Sequence, residues 1–208
     1  RSQVIIIAHI GGWGNVPVEK ADDLLPIIDG VEEHLRAEGI SSIRVPYYRT
    51  RGDIFGKLRT ISEMFELHQS DASRLPGEID RFLSRHPEQR VVMIGLSNGA
   101  AFADEVMQRL SETAQGRVCA IEAGGPFLGQ SDPDEYVLRL DNHGLDPVAT
   151  GEYWIMMRTW GGGLFRRVYA WLTGREGPKA EAFVREHEYS WPSVRQEVVS
   201  FLDRWLGR

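Results

Sequence analysis

The chain has 208 residues, of which 42% are hydrophobic and 26% charged, with a formal net charge of −6. That is enough for one domain with a sizeable core and too little for two ordinary domains and a linker, and the composition excludes a disordered chain. The 24 basic residues are spread along an acidic sequence, which excludes the electrostatic footprint of a nucleic-acid binder and points to small-molecule or protein partners.

From the N-terminus, short β-branched runs alternate with longer helical patterns, the mark of repeated βαβ units. "QVIIIAH" at 3–9 predicts the first strand. Leu24, Ile27, Ile28, Val31 and Leu35 then recur at helical spacing before Gly39, which stands where a C-terminal cap belongs. "SIRVP" at 42–46 predicts the second strand, and Leu75, Ile79, Phe82 and Leu83 a helix that stops before His86-Pro87. "RVVMIGL" at 90–96 is the third strand; like the first it is apolar on both faces, as a central parallel strand covered by helices must be. "RVCAIE" at 117–122, "YVLRL" at 136–140 and "EAFVRE" at 181–186 complete the strands. Val194, Val198, Phe201, Leu202 and Trp205 form one stripe of a last helix that should close one face of the sheet. The expectation is a single domain over 1–208, a three-layer α/β/α sandwich on a mostly parallel sheet of about six strands.

Cys119 lies in the apolar run "VCAI" and reads as a buried structural thiol, and a lone cysteine makes no internal disulfide. No apolar run approaches the roughly 20 residues that span a bilayer, so a soluble domain is expected. The sequence starts at Arg1 and enters a strand almost at once, which is compatible with removal of a leader, anchor or signal peptide. A cytoplasmic and an exported location, and the oligomeric state, all stay open.

"VVMIGLSNGAAF" at 91–102 places a serine at the tip of a buried strand, between two glycines. In an open parallel sheet, functional groups collect at the carboxyl ends of the strands. On a tight strand-to-helix turn, the residues two before and two after the serine come too close unless they lack a Cβ. Gly95 and Gly99 hold those places, and Ala100, Ala101 and Ala103 let the helix pack close. Such a turn sets the Ser97 oxygen near a helix N-terminus, whose N–H groups stabilise developing negative charge.

Gly95-Leu-Ser97-Asn-Gly99 in this setting resembles the GxSxG nucleophile elbow of the α/β-hydrolase superfamily. The resemblance implies Ser97 as nucleophile, followed along the chain by an acid and a histidine. "GLDPV" at 144–148 resembles the superfamily's acid loop and makes Asp146 the acid, with Asp141 in reserve or as the opener of an Asx turn. His187, in "REHEYSWPSVRQEVV" before the last helix, is the base; His34, His68, His86 and His143 are less well placed. A metal site at Asp141, His143 and Asp146 lacks further ligands. "AHIGGWGN" resembles the His-Gly loop of the superfamily, with Ile10 where that family usually has glycine. The oxyanion donors would be the backbone N–H groups of Asn98 and Gly11, with Gly12 the alternative to Gly11.

The resemblance runs to the final helix, and the first two strands of the superfamily's full sheet have no counterpart. Ser97-Asn-Gly-Ala100 and "HEYSWP" look like secreted esterase and polyester-depolymerase members. The implied activity is hydrolysis of carboxylic esters or thioesters through a Ser97–His187–Asp146 triad and an acyl-enzyme, with no cofactor and no metal. An acyltransferase or peptidase using the same triad, and a non-catalytic binding protein of that fold, are the alternatives. Between Asp146 and His187, Tyr153, Trp154, Trp160, Phe165, Tyr169 and Trp171 crowd into about 40 residues. Residues 153–178 are either a covering helix packed on the sheet or a cap that forms an acyl pocket and, through 153–175, touches a membrane or lipid surface. Without such a cap, the pocket would be sought around Trp13, Phe127 and Leu128.

Overall fold

Successive side chains of a strand point to opposite faces, so strands apolar at nearly every position must be covered on both sides. The computed structural model, which describes residues 3–9, 24–46, 74–125, 135–146, 149 and 189–208, shows how this is done. Strands β1 (Gln3–His9), β2 (Ser41–Pro46), β3 (Arg90–Leu96), β4 (Val118–Ala123) and β5 (Val137–Leu140) form one parallel sheet in the order β2-β1-β3-β4-β5. Helix α1 (Leu25–Ala37) follows β1, and α2 (Leu75–Arg85) precedes β3. Helix α3 (Asn98–Gln108) and the short α4 (Glu112–Gln115) link β3 to β4, and α5 (Trp191–Leu206) ends the chain.

The pleat of β3 divides the core in two. Val92 and Ile94 face a layer built from Ile27, Val31 and Leu35 of α1 and Val198, Phe201 and Leu202 of α5. Val91 and Met93 face the other way, onto Ile79 and Leu83 of α2 and Phe102 and Val106 of α3. The result is the expected α/β/α sandwich, with α5 closing one face and Cys119 buried in β4. Five strands are seen where about six were expected. The sixth expected strand at 181–186, like the aromatic stretch 153–178, lies outside the described residues.

Local chemistry explains the helix ends. Gly39, at φ 74°, lets Ile40 N–H reach back to Leu35 C=O at 2.8 Å and Gly39 N–H to Arg36 C=O at 3.0 Å, the paired bonds of a left-handed C-terminal cap. Two contacts then fix α5 against α1: His34 Nε2 lies 2.9 Å from Asp203 Oδ1, and Gly30 gives up its side chain where the Trp191 ring sits. A Cβ on Gly30 would fall 2.1 Å from that ring. No helix among the described residues is long and apolar enough to cross a membrane.

Candidate active site

The sheet order reverses between β1 and β3: the chain moves out from β1 to β2, then returns to place β3 on the other side. A crevice opens at the carboxyl ends of the strands at such a switch point, where α/β proteins bind ligands. His9, the last residue of β1, is in register with Gly95 of β3, and Ser97 follows two residues on.

Ser97 holds a strained backbone, with φ 53° and ψ −116°. Few non-glycine residues hold such a backbone, and here the surroundings over-determine it. Its N–H donates to Ala123 C=O of β4 at 2.8 Å, while its own C=O accepts from Ala100 N–H at 2.9 Å and Ala101 N–H at 3.2 Å. The strand ladder thus holds Ser97 from one side and the first turn of α3 from the other. A Cβ on Gly95 would lie 2.3 Å from Gly99 O, and one on Gly99 would lie 2.4 Å from His9 O. Both obstacles are backbone, which has nowhere to move. Ser97 is half-buried, and Asn98 opens α3.

His9 itself is buried, its ring 4.1 Å from that of Phe102 on α3, and so packs the end of β1 onto the helix that starts at Asn98. Gly11 and Gly12, which follow β1 in the sequence, lie outside the described residues.

The chain after β5 turns on three successive positive-φ residues, Asn142 (54°), His143 (60°) and Gly144 (79°). They reverse the chain so that Asp146 N–H donates back to Asp141 C=O at 3.1 Å. Asp141, His143 and Leu145 are left exposed and Asp146 is turned inward, fully buried. The three potential ligands Asp141, His143 and Asp146 are therefore not gathered around one point. Inside, the Asp146 carboxylate meets Tyr189, whose hydroxyl donates to Oδ2 and lies 3.0 Å from Leu140 O.

The histidines sort by position. His34 is bonded to Asp203 between α1 and α5, His86 stacks on Phe82 at 4.7 Å, and His143 is exposed 3.7 Å from Glu197. His68 and His187 lie outside the described residues.

One charged group beneath α3 has no counterpart in the sequence reading. Glu122 of β4, in register with Gly95, is buried on the α3 side together with Asp104 of that helix. Arg139 of β5 spans them, Nη2 at 2.8 Å from Asp104 Oδ1 and Nε at 3.3 Å from Glu122 Oε2. One guanidinium cannot neutralise two carboxylates, and burial, with Asp104 alongside, pushes the Glu122 carboxyl up to about 8. Tyr189 is the other residue the sequence reading missed. Its only sequence signal is its place in "HEYSWP", two residues after His187.

The parallel order β2-β1-β3-β4-β5, the helices on both faces and the serine turn at the switch point define an α/β-hydrolase fold, with five strands among the described residues. Similar solved structures include a cutinase-like protein from Cryptococcus sp., at 14% identity over 99% of this chain and 95% of that one, with a TM-score of 0.56. They also include an acetylxylan esterase, at 13% identity over 97% and 98% of the two chains and a TM-score of 0.54. A Trichoderma reesei cutinase in complex with a phosphonate inhibitor matches at 14% identity over 97% of this chain and 75% of that one, with a TM-score of 0.56. At these identities the likeness is one of fold. No family model matches the chain, and no curated protein matches its sequence.

Proposed function

We propose that the protein is a serine hydrolase that cleaves carboxylic esters or thioesters through a Ser97–His187–Asp146 triad. The observation that carries this reading is the backbone of Ser97, a non-glycine residue at φ 53° and ψ −116° held between two glycines whose side chains would strike backbone. Such a conformation costs about 1–3 kcal/mol. A turn with a purely structural role would relax to glycine there; a serine is worth its strain when its oxygen is used.

In the proposed cycle His187 takes the Ser97 proton as the oxygen attacks the ester carbonyl, and Asp146 orients and stabilises the imidazolium. The backbone N–H groups of Asn98 and Gly11 receive the oxyanion at the positive end of α3. The alcohol or thiol departs with the proton from His187, and water then repeats the sequence on the acyl-enzyme. Burial of Asp146 supports its choice over the exposed Asp141, because an acid shielded from water stabilises a neighbouring imidazolium more strongly. Tyr189, which touches Asp146, is only two residues along the chain from His187, and this closeness in sequence supports the choice of base. One of the proteins of similar fold is named as an acetylxylan esterase and two as a cutinase or cutinase-like protein, which supports the choice of substrate class.

A fluorophosphonate probe tests the reading, since it labels only an activated serine. Labelling of the wild-type protein and its loss in Ser97→Ala, together with loss of p-nitrophenyl ester turnover, is the expected result. Turnover unchanged in Ser97→Ala would overturn it.

A further inference from the structure

We infer that Tyr189 is a positioning residue for the reaction, its hydroxyl holding the Asp146 carboxylate in the orientation that a triad histidine needs. The inference rests on the triad proposed above and concerns a group outside it. A fully buried carboxylate must be given hydrogen-bond donors, and the Tyr189 hydroxyl supplies one directly to Oδ2. Leu140 O lies 3.0 Å from the same hydroxyl, but a phenol has a single proton, and the anionic acceptor binds it more strongly.

The phenol is well anchored. Its side chain belongs to the core layer shared by α1 and α5, and Ser190, the next residue, is the N-cap from which α5 begins. Among the described residues, the charged groups that act on it are Asp146 and, farther off, Asp141, and the Gly124 backbone also interacts with the phenol oxygen. Burial and these carboxylates push the hydroxyl far above its ordinary range, so it remains a donor wherever the protein is folded. Donation from the phenol also draws negative charge from the carboxylate and moderates how strongly it holds a proton on its histidine partner.

This gives Tyr189 a signature that mere packing lacks. Tyr189→Phe keeps the ring and removes the donor. It should lower kcat for a p-nitrophenyl ester about 10- to 100-fold, the effect of one hydrogen bond to a charged group, with KM little changed. The acidic limb of the kcat profile should move to higher pH, because the carboxylate regains charge and raises the affinity of the imidazole for its proton. Fluorinated tyrosines placed at position 189 keep the fold and donate progressively more strongly, and should move that limb stepwise to lower pH. Wild-type kcat with an unmoved limb in Tyr189→Phe, or a limb that ignores donor strength across the fluorotyrosine series, overturns the inference. If Tyr189→Phe fails to fold, the fluorotyrosine series decides alone. Ser97→Ala run in parallel separates the two levels: Ser97-dependent turnover with an unmoved limb removes only the role of Tyr189, whereas turnover independent of Ser97 removes the triad and the role together.

Discussion

At the scale of single residues, Ser97 occupies a backbone conformation suited to glycine, and its stability cost can be read directly. Ser97→Gly should release roughly 1–3 kcal/mol of strain against about 0.5–1 kcal/mol lost to the extra freedom of unfolded glycine. Ser97→Gly should thus be more stable than Ser97→Ala by about 1 kcal/mol in urea denaturation, although both lose turnover by roughly 10³-fold or more. Equal stability of the two would show that the turn is not strained. The proposed acid follows the same logic of environment. Asp146→Asn should cost about 10⁴ in kcat by favouring the wrong histidine tautomer, while Asp141→Asn, at an exposed site, should leave kcat within a few fold. The reverse ranking would hand the role to Asp141. Ser97 and Asp146 stand out as candidates in the sequence because each sits in a short pattern, a glycine pair or a turn after a strand. Tyr189 does not: its partner lies 43 residues away, and only the inward turn at Asn142 to Gly144 brings the two together.

Among elements, the contact of α1 with α5 matters most, since the register of α5 sets where Tyr189 stands. Gly30 lies mid-helix in α1, where glycine is about 1 kcal/mol worse than alanine, yet a Cβ there would fall 2.1 Å from the Trp191 ring. Gly30→Ala should therefore destabilise the protein, and the same substitution in a Trp191→Ala background should stabilise it by up to about 1 kcal/mol. A double-mutant cycle by urea denaturation measures this change of sign; additive effects would mean that the ring yields at no cost. The stripes of α1, α2 and α5 and the runs of β1 to β5 were legible because helices and strands with one or two buried faces must repeat apolar residues at a fixed period. Which helix lies on which face was not written locally. It follows from the reversal of strand order at β1 and β3, a relation between segments distant in the chain. Gly30 shows the same limit: in the sequence it looks like a flaw in a helix, and in the fold it is the seat of an indole.

Over the whole molecule, the buried group beneath α3 sets stability against activity as pH changes. Nothing in "RVCAIE" marks its last residue as buried, yet Glu122 is 2% exposed, and its Oε1 has no hydrogen-bond partner among the described residues. Its carboxyl titrates at about 8 in the folded protein against 4.5 ordinarily, so between those values the folded state binds a proton that the unfolded state has released. Stability therefore falls as pH rises: the contribution of Glu122 is fully present below its unfolded pKa and is lost as pH climbs through the folded one. One whole proton corresponds to a slope of about 1.4 kcal/mol per pH unit at most. With the proposed triad, turnover should run the opposite way, rising with pH as the catalytic base loses its proton. Glu122→Gln, a neutral mimic of the protonated acid, should flatten the decline in unfolding free energy between about pH 5 and 8 and leave the acidic limb of the activity profile in place. Urea denaturation at several pH values, with ester turnover on the same samples, makes the comparison. An unchanged stability slope in Glu122→Gln would show that Glu122 is ionised in the native protein, and Arg139 would then be the group that holds both carboxylates charged.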